Sequence, residues 1–215
     1  MKEKVISKNQ LRRLPFYLSF IKEKEKEGID NISSPMIAQG LNLNEEQVRK
    51  DLALVSSSGG KPKLGRNVKE LINDIESFLG YNDVNTAIIV GAGHLGRALL
   101  SYNGFSNYGL DIVAAFDDNP ELSLQSFNGK EILPMSKLKS LCERLNIKIG
   151  IITVPAEHAQ TVCEQLVQSG VKAIWNFAPV RLNAPYDIII QNENMASSLA
   201  ILSNKLKEKL NKKGE

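Results

Sequence analysis

The sequence predicts an α/β protein in two parts, a small helical N-terminal domain followed by a doubly wound parallel sheet, with one more helix at the C-terminal end. Three observations predict it. From about residue 84 to 185, short apolar runs alternate with helical patterns. The apolar run at 86–90 (TAIIV) passes directly into the glycine pattern at 91–96 (GAGHLG). The first 80 residues, by contrast, read as short helices around a basic turn. A chain of 215 residues with 42% hydrophobic and 24% charged residues has an ordinary globular balance and fits one large or two small domains. No apolar run approaches the roughly 18 residues of a membrane span, and the N-terminus lacks a signal-peptide core, so a cytoplasmic protein is expected. Two cysteines, Cys142 and Cys163, make neither a disulfide framework nor a metal site, and are expected to be ordinary core thiols.

The N-terminal domain, 1–80, begins with Leu11, Leu14, Leu18 and Ile21 at helical spacing, followed by a charge run that ends at Gly28. Ser33, Ser34 and Pro35 open a second helix, with serine as cap and proline in the first turn. A short turn leads to Asn44, which caps a third helix through Val48, Leu52 and Val55, with two acids in its first turn. Helix, short turn, helix is the helix-turn-helix pattern, and it places Arg49 and Lys50 away from the apolar stripe. The segment at 59–65 (GGKPKLG) then reads as a basic hairpin or wing. Charge agrees with that: residues 1–80 carry 14 Lys and Arg against 11 Asp and Glu, while the remainder is balanced at 13 of each. Between Leu52 and Lys69 lie Lys61, Lys63, Arg66 and Lys69 with no acid, as on a phosphate-facing surface. The pattern alone also fits a plain protein-binding module.

The second domain, 81–185, has strand runs at 86–90, 112–116, 147–154 and 171–177 and helical patterns at 97–100, 138–145 and 156–168. Such alternation implies right-handed crossovers and a parallel sheet. The tail, 186–215, offers a strand-like stretch and an amphipathic helix bearing Leu199, Ile201, Leu202, Leu206 and Leu210. That helix can pack across a dimer interface or fold back on its own domain.

The glycine pattern carries the chemistry. Gly91 permits the turn out of the strand, Gly93 lets backbone approach a pyrophosphate, and Gly96 lets the helix pack close to the sheet. Ala92, His94 and Leu95 fill the loop and the helix start, where free N–H groups face the phosphates. Asp117 ends the second strand 21 positions after Gly96, placed for the ribose hydroxyls. No arginine follows it to welcome a 2′-phosphate, so this Rossmann domain is expected to take NAD rather than NADP. His94 sits in a slot where its backbone matters more than its ring. His158 follows Val154 and Pro155 near the converging strand ends, and an exposed helix position is expected for it. After one nucleotide fold only about 30 residues remain, too few for a substrate domain. The chain is expected to bind a dinucleotide without acting on it as an enzyme.

Along almost its whole length the chain resembles the Rex family of redox-sensing transcriptional repressors. The resemblance rests on Arg13-Leu14-Pro15, Ile32-Ser33-Ser34, Val48-Arg49-Lys50-Asp51-Leu52 and the glycine loop. It continues through Ala115-Phe116-Asp117, Thr153-Val154-Pro155-Ala156 and Asn176-Phe177-Ala178-Pro179-Val180. It implies a homodimer with an N-terminal winged helix on inverted-repeat operator DNA, a Rossmann domain for NAD(H), and a C-terminal helix swapped between subunits. NADH would close the dimer and release the DNA. The implied operator contacts are Arg13, Ser33, Ser34, Gln47, Arg49, Lys50, Ser57, Ser58, Lys61, Lys63 and Arg66. Asp118 joins Asp117 in the implied cofactor site, Tyr102 stands near the nicotinamide, and Thr153, Val154, Pro155, Asn176, Phe177, Ala178 and Pro179 line that end.

Two departures from the family pattern bear on switching. A family Arg and Asp that pair in one state are here Ser19 and Asn194, both neutral. Losing both avoids stranding a charge but removes a charge-assisted bond that could favour one state. The wing keeps its basic character and lacks the family's aromatics. The alternative from another class is a small NAD-dependent oxidoreductase with an N-terminal interaction module.

Overall fold

The structure, a computed structural model, describes residues 6–61, 64–123 and 125–211. It divides into two compact units, 1–83 and 84–215.

Unit 1 is built from four helices and a two-stranded ribbon: α1 (Lys8–Lys26), β1 (Asn31–Ile32), α2 (Ser34–Leu41), α3 (Glu45–Val55), β2 (Arg66–Asn67) and α4 (Val68–Leu79). Each helix start is chemically marked. Ser7 and Gln10 form a capping box on α1, and Ser33, Asn44 and Asn67 cap α2, α3 and α4 through side-chain oxygens. Asn42, at φ 52°, ends α2 in the left-handed region and turns the chain into α3. The core joins Leu14, Tyr17, Leu18 and Ile21 of α1 to Ile37, Val48, Leu52, Leu71 and Ile75. β1 and β2 pair antiparallel, and Lys61 bridges to Gly65 to close the wing. Gly65 is obligatory there, because its φ is +83° and a Cβ would drive into the backbone of Ile32.

One member of the core is charged. Asp51 is 1% exposed, and its carboxylate accepts from Arg13 Nε at 2.7 Å, Arg13 Nη2 at 3.0 Å, Tyr17 Oη at 2.8 Å and Gln10 Nε2 at 3.2 Å. The sequence pattern identified the stripe Val48, Leu52 and Val55 and passed over Asp51. A buried carboxylate is sustained only by donors from another helix, which lie 34 to 41 positions away.

Unit 2 contains β3 (Asn85–Val90), α5 (His94–Ser101), a 3-10 turn (Asn103–Tyr108), β4 (Leu110–Asp117), β5 (Ser126–Phe127) and β6 (Lys130–Pro134). It continues with α6 (Leu138–Leu145), β7 (Ile149–Ile152), α7 (Ala156–Gln168), β8 (Ala173–Asn176), β9 (Ile189–Asn192) and α8 (Met195–Asn211). The strand order is β5-β6-β4-β3-β7-β8-β9, parallel except for β5. Leaving out β5, this is the doubly wound order in which the chain runs outward from β3 on one side and then on the other. β3 alternates accordingly: Ile88 and Val90 pack with α6 and α7 on one face, Ala87 and Ile89 with Leu100 of α5 on the other. The β5–β6 hairpin was not anticipated, because β6 holds only Ile132 and Leu133 as buried apolar residues and ends in Pro134. Cys142 and Cys163 are buried core thiols, and burial pushes Cys142 up to about 11.

The last helix differs from the rest. α8 carries Met195, Leu199, Leu202, Leu206 and Leu210 along one face, and none of its residues is buried. Its start is capped by Asn194, whose side-chain oxygen accepts from Ser197 N at 2.9 Å. Among the described residues no helix is long and apolar enough to cross a membrane.

Titration of the Asp51 cluster gives a stability signature. Burial, together with the hydrogen bond to Asp51, pushes the Tyr17 hydroxyl up to about 12. Its stabilising contribution is therefore complete below the unfolded value near 10 and lost as pH rises through about 12. Burial would raise the Asp51 carboxyl, but bonds from Arg13, Tyr17 and Gln10 outweigh it and hold it below the usual range. Its contribution is present above about pH 4 and lost as pH falls through the depressed value. Urea unfolding across pH is expected to show an alkaline loss between about 10 and 12 that Tyr17→Phe removes while leaving the acid limb in place.

Candidate functional site

The cleft of unit 2 lies where the chain switches direction, at the carboxyl ends of β3 and β7. Three contacts shape it. Gly91, at φ +103°, turns the chain out of β3, and a Cβ there would stand 2.9 Å from the backbone of Thr153. Thr153 Oγ1 donates to the Gly91 carbonyl at 2.7 Å, tying the loops after β3 and β7 together. A Cβ on Gly96 would overlap that same carbonyl oxygen, so α5 reaches the loop only because Gly96 has none. Gly93 is different: a Cβ would meet nothing within 4 Å, so the protein leaves open space above that backbone. The Ala92 N–H donates to Asp117 Oδ2 at 2.6 Å and the Asn119 N–H to Oδ1 at 2.9 Å, which fixes the carboxylate at the rim.

The cleft encloses about 530 Å³. Gly91, Gly93, Asp117, Asp118, Thr153, Val154 and Pro155 line it as the sequence predicted. Ala92 and Gly96 are buried behind it, and His94 and Leu95 stand exposed on the first turn of α5. Met135, Thr161, Val162 and Gln165 also line the cleft and were not anticipated as ligand contacts, and His158, exposed on its helix as expected, lines it too. The signal was present in the spacing, since 158, 161, 162 and 165 fall on one face of α7. None of the lining residues is Lys or Arg. A dianionic diphosphate here must be met by backbone N–H groups and the N-terminal dipole of α5.

Of the residues expected at the nicotinamide end, Tyr102, Asn176, Phe177, Ala178 and Pro179 are not among those that line this cleft. Tyr102 ends α5, is 53% exposed and packs edge-on to Phe105 at 4.9 Å, with its ring over Gly104. Asn176 corrects the sequence expectation most clearly. It is fully buried, and its amide donates to the carbonyls of Ala178 and Val180 and to Asn192 Oδ1 while accepting from Ala178 N. With every polar atom engaged, it shapes the loop rather than offering a contact. Ala178 is buried with it, Phe177 packs on Trp175 at 4.9 Å, and Pro179 is exposed.

On unit 1, Ser33, Ser34, Pro35, Arg49, Gly60, Lys61, Gly65 and Arg66 surround a pocket of about 350 Å³ that contains no acid. It brings together the start of α2, the exposed face of α3 and the wing. Arg49 and Lys50 both reach Glu46, Lys50 at 3.6 Å, and both remain exposed. Arg66 is half-buried beside Gly60, and its Nε has no partner. Its one hydrogen bond among the described residues runs from Nη1 to Ser34 Oγ at 3.4 Å. Burial without a counter-ion lowers its pKa.

Four of the expected contacts have partners within the protein. Ser57 donates through both N–H and Oγ to Asp74, at 2.7 and 2.8 Å, and Ser58 Oγ donates to Glu70 at 3.1 Å. These bonds anchor the loop to α4. Arg13 is committed to Asp51, and Gln47, oriented with its amide oxygen toward that guanidinium, accepts from Arg13 Nη1 at 2.7 Å. Lys63 lies outside the described residues.

Comparison with known proteins agrees with this division. A family model described as a putative DNA-binding protein N-terminus matches residues 5–53, and one described as a CoA binding domain matches 82–180. Redox-sensing transcriptional repressors Rex from Bacteroides fragilis and Treponema denticola are each 40% identical. They cover 91% and 94% of this chain and 89% and 95% of their own lengths. The chain belongs to the Rex family of redox-sensing transcriptional repressors. A solved Rex-family repressor, RSP, in complex with β-NAD+ and operator DNA, superposes with a TM-score of 0.89 at 34% identity, covering 98% of this chain and 97% of its own. RSP in complex with β-NADH gives 0.85 at 34% identity, covering 99% and 100%. The family is one of repressors rather than enzymes, which disfavours the oxidoreductase alternative.

Because the Gly91 carbonyl is backbone, Gly96→Ala cannot be relieved by a rotamer change. It is expected to cost about 1–3 kcal/mol and to leave the variant without the rise in melting temperature that NADH is expected to give the unsubstituted chain, both read by thermal unfolding.

Proposed function

We propose that this chain represses transcription as a cytoplasmic homodimer that binds inverted-repeat operator DNA through unit 1 and is released when NADH binds the cleft of unit 2. The observation that carries the DNA reading is the acid-free pocket around Arg49, Lys61 and Arg66. A half-buried guanidinium with no counter-ion is costly, and a backbone phosphate repays that cost with a charge-assisted bond. Arg49 and Lys50 face outward from α3, the second helix of the pair, as major-groove reading requires.

The cleft fits a dinucleotide. Open space over Gly93 receives the diphosphate, and the carboxylate of Asp117, with Asp118 beside it, receives ribose hydroxyls and repels a 2′-phosphate. Bound there, NAD(H) supplies a redox-dependent nicotinamide charge and is not consumed. The strand and helix beyond residue 186 supply dimerisation. Seventeen residues of amphipathic helix with no buried member call for an apolar partner, and a swap onto the second subunit provides it. Asn194 keeps a capping role but has no charge, and Ser19 is exposed on α1, so discrimination between NADH and NAD+ rests on contacts other than that pair.

A gel-shift titration on an inverted-repeat duplex without ligand, with NAD+ and with NADH tests this. NADH alone should release the DNA, and a complex that NADH leaves intact would sink the redox switch. Arg66→Met should lower the slope of log K against log salt by about one. An unchanged slope would remove Arg66 from the phosphate contacts.

A further inference from the structure

Unit 1 holds two arginines in opposite electrostatic conditions. Arg66 is half-buried with no carboxylate partner among the described residues, whereas Arg13 has its charge matched inside the protein. We propose that Arg13 and Asp51 form a strut that fixes the pose of α3 against α1, so that Arg13 serves operator reading as a positioning residue without touching phosphate. This rests on the repressor reading above and names the residues that aim its reading helix.

The geometry is that of a two-point attachment. Asp51 and Gln47 lie one turn apart on the same side of α3, and the Arg13 guanidinium meets both. One anchor would leave α3 free to roll about its axis, while two fix roll and slide together. The anchor on α1 is itself braced. Gln10 donates to Asp51 Oδ1 at 3.2 Å while its amide oxygen accepts the Ser7 N–H at 2.9 Å, which joins the strut to the α1 capping box. Tyr17 Oη supplies a further donor from the core side at 2.8 Å. Arg49 and Lys50 precede Asp51 directly, so a roll of α3 that moves Asp51 moves both reading side chains.

The same contacts argue against a phosphate role. Arg13 Nε and Nη2 are taken by the carboxylate, and the Asp51 hydrogen bond raises the Arg13 pKa, which marks a pair whose charges are spent on each other. A phosphate approaching that fork would also meet the charge of Asp51.

Salt dependence separates positioning from contact. Operator and random-sequence duplexes would be titrated across salt with the full chain, with Arg49→Met, and with the triple variant Arg13→Met, Tyr17→Phe, Asp51→Leu. The triple variant replaces the buried polar set by apolar residues, an exchange that preserves folding in buried ion clusters. It should lose operator affinity by about tenfold or more, the size of a lost base contact. Its affinity for random DNA and both salt slopes should be unchanged. Arg49→Met should instead lower the slope on both DNAs by about one. Asp51→Asn is the isosteric second variant, usable if the triple variant fails to fold. It should show the same signature, lower operator affinity at constant slope. A slope reduced by about one in the Arg13 variant, with the ratio of operator to random affinity kept, would make Arg13 a phosphate contact. Operator affinity and slope both unchanged in a folded variant would overturn the strut. Either outcome leaves the repressor reading standing, whereas unsubstituted chain that binds neither duplex defeats that reading itself.

Discussion

The cleft of unit 2 depends on one carbonyl oxygen. Gly91 O is approached from one side by α5, which comes close only because Gly96 lacks a Cβ, and from another by the Thr153 hydroxyl at 2.7 Å. The first contact fixes where the N-terminal dipole of α5 points. The second joins the loops after β3 and β7, the two strands between which the sheet changes direction. Asp117 is oriented by the same loop, through the N–H of Ala92. Three elements therefore share one small piece of backbone: the amides at the start of α5, the Asp117 carboxylate and the loop after β7. A cleft without Lys or Arg is consistent with that economy, because preorganised N–H groups carry the anion without a mobile cation.

Unit 1 solves a different electrostatic problem. It must expose cations for DNA and still hold a reading helix rigidly. It places one buried carboxylate where an arginine, a tyrosine and a glutamine of α1 converge, and leaves another arginine beside the wing with no carboxylate partner among the described residues. The serines that follow α3 are turned toward Asp74 and Glu70, which ties the approach to the wing down to α4. Basic residues are thus divided between those spent on the fold and those left for a partner, and net charge alone cannot distinguish the two.

That division explains what was legible in the sequence. Helix caps at Ser33 and Asn44, the glycine loop and the strand alternation are local signals, and each appears where residue type and spacing placed it. The boundaries 138–145 and 156–168 agree with α6 and α7, both strongly amphipathic. What escaped was non-local. Asp51 looks like a solvated acid until α1 folds over it, and Asn176 looks like a ligand contact until four hydrogen bonds turn it into a loop brace. The α7 wall of the cleft, with His158, Thr161 and Gln165, was readable as a helical face, but which side faces a ligand depends on the sheet beneath it. β6 escaped because a five-residue strand with two buried residues gives too short a period.

The distribution of residues around the cleft also constrains how switching works. NAD+ and NADH share the entire adenosine diphosphate and differ only at the nicotinamide. Contacts to that shared part bind both forms alike and cannot by themselves make one form shift the protein where the other does not. Discrimination between them falls to whatever groups meet the nicotinamide; outside the cleft lining, Tyr102, Phe105, Trp175 and Phe177 stand in successive ring contacts at 4.9, 5.7 and 4.9 Å. Trp175 Nε1 donates to Glu193 at 3.0 Å, and Asn194, the cap of α8, follows that glutamate. A continuous set of contacts thus leads from the rings to the base of α8, none of whose residues is buried. A ligand that favours one arrangement of those rings has, in that helix, an element whose docking can differ between two states.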